Sequence, residues 1–200
     1  MTSNKFIDVL RHKKTEETYK EKPGADTAVL AYHAGTEKGT GEIAEMVHGQ
    51  SQSSLYKLDT PLRVPSTKIR YTQSGDLTRA VKGHKRAVTL HKHKRKGLYE
   101  KEGKMYDKAN TIFVTGQNAD MAEDIGAEFE KKFGKMYNIE TNINYTPKHL
   151  QGISPDNIGA KFEEKAVQIE FPKMIEKSDK HKRYAAKAIS KGINNYKKAA

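Results

Sequence analysis

Cysteine is absent from the 200 residues, which excludes disulfides, thiolate zinc sites and a cysteine nucleophile. Any metal site must therefore use histidine and carboxylate. Long apolar runs are absent too. None approaches the roughly 18 residues that a membrane-spanning helix needs. The N-terminus, MTSNKFIDVLRHKK, carries charge but no apolar core, so no secretion signal is expected. No internal repeat, low-complexity segment or linker interrupts the chain. A length of 200 residues with 35% apolar content suits one lean domain spanning 1–200. Within it, 1–24 is expected to be a peripheral N-terminal segment and 178–200 a basic C-terminal helix.

What the chain has in excess is positive charge. Its 37 basic and 25 acidic residues leave +12, a field that attracts polyanions, whether nucleic acid, anionic polypeptide or anionic membrane surface. A solvated lysine-rich surface is the simpler alternative. A nucleic-acid-binding reading centres on residues 79–104. Its stretch RAVKGHKRAVTLHKHKRKG has no aromatic residue for base stacking and matches no known reader motif.

Short apolar runs bounded by turn residues predict buried strands at 27–32 (TAVLAY), 86–91 (RAVTLH), 111–115 (TIFVT) and 166–171 (AVQIEF). Further strands are expected at 54–58, 61–69 and 138–144. Helical spacing marks 5–13, 41–48 and 119–133, where Met121, Ile125 and Phe129 share a face. Asp76 is the expected cap of a short helix running to Val81. Residues 14–22 and 92–108 read as charged loops, the second alternatively as a hairpin. Alternation of strands and helices predicts an α/β fold with a mixed, largely parallel sheet flanked by helices.

Ligands of open α/β sheets gather beyond the carboxyl ends of strands. Three predicted strands end in groups suited to metal binding or proton transfer: TAVLAY at His33, RAVTL at His91 and AVQI at Glu170. The turn YHAGTEKGT adds Glu37 close to His33.

These segments resemble the poly-γ-glutamate hydrolase family, which is associated with bacteriophages and related to zinc carboxypeptidases. LAYHAGTEKGTGEIAEMV at 30–47 is similar to that family's strand, His-Gly-Gly, acid and Pro-Gly-Thr turn, with one residue fewer between His33 and Glu37 and Lys38 in place of proline. Val88-Thr89-Leu90-His91 resembles its Ser-Ile-His element, and IFVTGQNADMAEDI its strand-glycine-helix element. Asp156-Asn157-Ile158 with Ala166-Val167-Gln168-Ile169-Glu170 resembles its Asn-Ile motif and Gly-Val-Gln-Leu-Glu strand. Order and spacing agree over roughly residues 15–190. The departures are Arg63–Arg70 where the family has a His-Phe-Asp segment, Lys92 for glycine, and Ala160-Lys161 for Asn-Arg.

The resemblance implies a carboxypeptidase-like fold and endo-cleavage of γ-glutamyl amide bonds, degrading capsule or biofilm polymer after release at host lysis. His33, Glu37 and His91 make a His2Glu set for one zinc per chain, and Glu170 is the expected general base. His93, on the strand face of His91, is the rival ligand. His12, His48, His84, His149 and His181 read as surface residues. An anionic polymer needs cationic contacts, for which Arg63, Lys68, Arg70, Lys92, Lys94 and Arg95 flank the metal strands. Asn157 is expected to contact a carbonyl or brace its loop. A monomer is expected.

Overall fold

The computed structural model describes residues 5–62, 65 and 68–199. The most apolar runs occupy its centre. Strands β2 (Thr27–Ala31), β4 (Arg86–His93) and β9 (Ala166–Pro172) lie side by side and parallel. Around them β1 (Glu16–Lys20), β3 (Ser53–Asp59), β7 (Thr111–Gly116) and β8 (Asn138–Glu140) complete a sheet of order β1-β3-β2-β4-β9-β7-β8. Pairing of β1 with β3 and of β7 with β9 is antiparallel, and the other four pairings are parallel. A separate hairpin, β5 (Leu98–Lys101) and β6 (Lys104–Asp107), occupies the expected exposed region. The mixed, largely parallel sheet is the architecture expected from the pattern.

Strand side chains alternate between faces, and here both faces are covered. On one, Val29, Val88, Val114 and Ile169 meet three helices: α2 (Thr40–Gln50), α4 (Ala119–Phe133) and α5 (Asp179–Ala199). On the other, Leu30, Tyr32 and Ala87 pack with Phe6 and Val9 of α1 (Lys5–Leu10) and Leu77 and Ala80 of α3 (Gly75–Lys82). That second layer is short, and it leaves the sheet uncovered toward the carboxyl ends of β4 and β9. The cleft forms there.

Several expectations shift. Residues 16–20 form the edge strand β1 rather than a loop, because the charged EETYK segment pairs with β3 from Glu16↔Asp59 to Lys20↔Leu55. Charge on an edge strand also discourages pairing with other chains. The N-terminal segment is thus part of the sheet, and Phe6 is buried. No strand forms among the described residues of 61–69. Helix α3 is capped by Ser74, whose Oγ accepts from Leu77 N at 2.9 Å, while Asp76 sits inside the first turn. Strand β8 is only three residues long.

Phe129 is fully buried between α4 and the sheet, against Phe133 and Phe171. Phe129→Ala is expected to cost about 3–5 kcal/mol, measured as a lower urea midpoint with unchanged slope.

Candidate active site

The turn after β2 is held by its own backbone. Glu37 N donates to the His33 carbonyl at 2.7 Å, and the Thr40 hydroxyl donates to the Glu37 carbonyl at 2.7 Å. Gly39 precedes α2 at φ +91°, a left-handed conformation that favours glycine. This folding brings His33 and Glu37, four residues apart, face to face: Nδ1 of His33 lies 3.4 Å from Glu37 Oε1. The shortened spacing relative to the family pattern therefore still brings the carboxylate to the histidine.

Glu37 also crosses to β4. Its Oε2 lies 3.2 Å from His91 Nδ1 and accepts the Lys92 backbone N–H at 3.1 Å. His33, Glu37 and His91 are 4, 6 and 4% exposed, and each offers a ligand atom within 4.8 Å of the others. Burial pushes the Glu37 pKa upward, but the two imidazoles outweigh it and hold the carboxyl well below the usual range.

Glu170 stands directly opposite His91 in the β4–β9 register, on the same face and equally buried. Two residues earlier on that face, Gln168 donates from Nε2 to Glu170 Oε1 at 2.9 Å and to the Leu150 carbonyl at 3.3 Å. Its Oε1 accepts from Asn157 Nδ2 at 3.2 Å. Asn157 Oδ1 lies 3.5 Å from the Tyr32 hydroxyl, which meets His91 Nε2 at 2.7 Å. A buried polar chain thus runs from Glu37 through His91, Tyr32, Asn157 and Gln168 to Glu170. Tyr32 and Gln168 went unassigned in the sequence. Period-two spacing, from Leu30 to Tyr32 and from Gln168 to Glu170, was the signal that places them on the site face.

All of this opens into a cleft of about 580 Å³. His93 reaches it but is committed to backbone, with Nε2 3.0 Å from the Thr111 carbonyl and Nδ1 accepting from Arg95 N at 3.4 Å. Burial holds its pKa below the ordinary value. Both ring nitrogens thus brace backbone, and the group of close metal-ligating side chains among the described residues is His33, Glu37 and His91. Asn157 likewise braces its loop, accepting from Gly159 N at 3.2 Å.

Lys92 alternates to the opposite sheet face, where its ammonium pairs with Glu176. Only its backbone serves the site. Lys68 and Arg70 are exposed and lie outside the cleft lining, and Arg63 lies outside the described residues. The cationic lining comes instead from Lys94, Arg95 and Lys148, with His149 beside them. His149 is thus a cleft residue, whereas His84 is buried with Nδ1 2.8 Å from the Ala80 carbonyl.

No helix among the described residues is long and apolar enough to cross a membrane. Among solved structures, a bacteriophage poly-gamma-glutamate hydrolase superposes with a TM-score of 0.70 at 20% identity, over 94% of this chain and 91% of that one. A protein described as YNDL in its apo, zinc-free form gives 0.68 at 18% identity, over 92% and 91%. An N-acetylmuramoyl-L-alanine amidase, AmiC2 of Nostoc punctiforme, gives 0.53 at 13% identity, over 86% and 97%. These likenesses show a shared fold. No curated protein sequence matches the chain. The profile of the family described as poly-gamma-glutamate hydrolase matches residues 8–195. With nearly the whole length matched, the chain belongs to the poly-gamma-glutamate hydrolase family.

Proposed function

We propose that the chain is a zinc-dependent hydrolase that cleaves γ-glutamyl amide bonds within poly-γ-glutamate, with His33, Glu37 and His91 as metal ligands and Glu170 as general base. The observation that carries this reading is the buried His33–Glu37–His91 cluster on the floor of a cleft that also holds Glu170. Family membership supplies the substrate class.

The residues fit the ion. Bonds of about 2.0–2.2 Å in a tetrahedral site put ligand atoms roughly 3.3–3.6 Å apart. Glu37 Oε1 lies 3.4 Å from His33 Nδ1 and Oε2 lies 3.2 Å from His91 Nδ1, and one ligand atom from each of the three residues falls within 4.8 Å of the others, a spread that a small adjustment on binding would close. Two imidazoles and a carboxylate are a donor set that suits zinc and leaves a coordination position open, and a structural neighbour described in a zinc-free form makes zinc the ion to test. Zinc held there supplies Lewis acidity toward the scissile carbonyl and lowers the pKa of water.

The chain's own groups do the rest. Tyr32 meets His91 Nε2, so Nδ1 is the ring nitrogen turned toward Glu37. Gln168 sets the direction of the Glu170 carboxylate. As water oxygen bonds to the γ-carbonyl carbon, Glu170 accepts the water proton. It then delivers that proton to the nitrogen as the carbon–nitrogen bond breaks. Cleavage within a capsule or biofilm polymer, by a monomer freed at lysis, completes the reading.

The nucleic-acid alternative gains no support from the fold. Of the 79–104 region, residues 79–82 are taken up by α3 and residues 86–93 by β4.

Chelator is expected to abolish the viscosity loss of a poly-γ-glutamate solution, and added zinc to restore it. Glu170→Gln should retain one zinc per chain while kcat falls by about 10²–10⁴; retained turnover would assign the base elsewhere. Tyr32→Phe should weaken zinc binding about 10–100-fold in a competition titration, and unchanged affinity would remove Tyr32 from the ligand-orienting role.

A further inference from the structure

One wall of the cleft carries charge of a single sign that the metal centre does not use. Lys94 and Arg95 leave the end of β4. Lys148 and His149 come from a 3-10 turn at Lys148–Leu150. All four are exposed and line the cleft. Ion pairs among the described residues tie other cations to carboxylates, such as Lys57 to Glu45, Arg86 to Glu164 and Lys182 to Asp179, and none engages these four. The crowding is felt electrostatically. Burial first, and then the charges of Arg95 and Lys108, lower the pKa of His149 and disfavour its charged form, so the cations of the wall are Lys94, Arg95 and Lys148, with His149 a neutral donor beside them.

The wall is also anchored. The Leu150 carbonyl accepts from Thr115 Oγ1 and Gln168 Nε2, each at 3.3 Å, and the same Gln168 amide nitrogen holds Glu170. Gly152 closes the turn at φ +67°, where a Cβ would come within 2.8 Å of the Gln168 side chain. On the other arm, the Arg95 backbone binds His93, and the following hairpin is pinned by Lys101 to the fully buried Glu140 at 3.2 Å. Positive charge without a carboxylate partner among the described residues, carried on a turn whose backbone is held two hydrogen bonds from the proposed base through Gln168, suits an anion.

We propose that Lys94, Arg95, Lys148 and His149 form a carboxylate subsite that takes the free α-carboxylate of the glutamyl unit on the amine side of the scissile bond, and that it selects γ-linked polymer. The assignment rests on the hydrolase reading above. In a γ-linked chain, the carbon bearing the scissile nitrogen also carries a free carboxylate. An α-linked chain puts its free carboxylate at the end of a two-methylene arm. A cationic wall on an anchored backbone, set at one side of the reacting amide, distinguishes the two.

The test compares wild type with the Arg95→Gln/Lys148→Gln double variant, whose substitutions are at exposed positions. The substrates are a γ-linked glutamyl oligomer and the same oligomer with its α-carboxylates converted to carboxamides. Losing charged hydrogen bonds should lower kcat/KM for the carboxylate form about 10–100-fold, chiefly through KM, so that the carboxylate-to-carboxamide preference collapses. An unchanged preference in the variant overturns the subsite. A wild type that cuts neither oligomer refutes the hydrolase reading instead. In that case equilibrium binding of the γ-linked oligomer decides the subsite separately: at least tenfold weaker binding to the variant supports it, and equal binding overturns it.

Discussion

The Glu37 carboxylate is the constraint on which the site depends. It is nearly buried, and a buried carboxylate is tolerated only when its charge is matched and its lone pairs are occupied. His33, His91 and the Lys92 backbone N–H meet that need from two separate strands. The turn after β2 and the end of β4 are thereby fixed against each other. Removing either histidine would leave Glu37 with a desolvated charge and only two of these three partners, so the geometry that suits a metal also holds the turn together. Gly39 and Thr40 shape the turn that delivers Glu37 there, and the shortened spacing before it is compatible with the same contacts.

From that carboxylate, order propagates across the sheet without further charge. His91 passes it to Tyr32, Tyr32 to Asn157, and Asn157 through Gln168 to Glu170. Neutral donors and acceptors suit this task, because a second charge between the ligands and the base would shift the pKa of both. Gln168 has a double place in the account. It holds the Glu170 carboxylate proposed as the base and, through the Leu150 carbonyl, the turn that presents Lys148 and His149. The proposed base and the proposed subsite therefore share one amide side chain.

The centre of the fold was legible because its strands are covered on both faces and so read as unbroken apolar runs. β2, β4, β7 and β9 fall where those runs lie, and α4 matches 119–133 in full. The edges were not legible. EETYK has the composition of a loop, and only pairing with β3 makes it a strand, a tertiary effect that overrides propensity. Convergence of His33, His91 and Glu170 followed from strand ends because β2, β4 and β9 are adjacent and parallel. Lys92 illustrates the opposite case. Proximity in sequence to His91 suggested a substrate contact, but strand alternation sends its side chain to Glu176 on the other face. The cationic wall drew half its members from a 3-10 turn with no periodic pattern, and only the folded chain brings that turn to Glu170.

Zinc-edge X-ray absorption, with anomalous diffraction to locate the ion, tests the central claim most directly. The account predicts one zinc per chain bound by His33 Nδ1, His91 Nδ1 and a Glu37 oxygen, with nitrogen distances of about 2.0–2.1 Å. Zinc ligated by His93, or located away from Glu37, would contradict it.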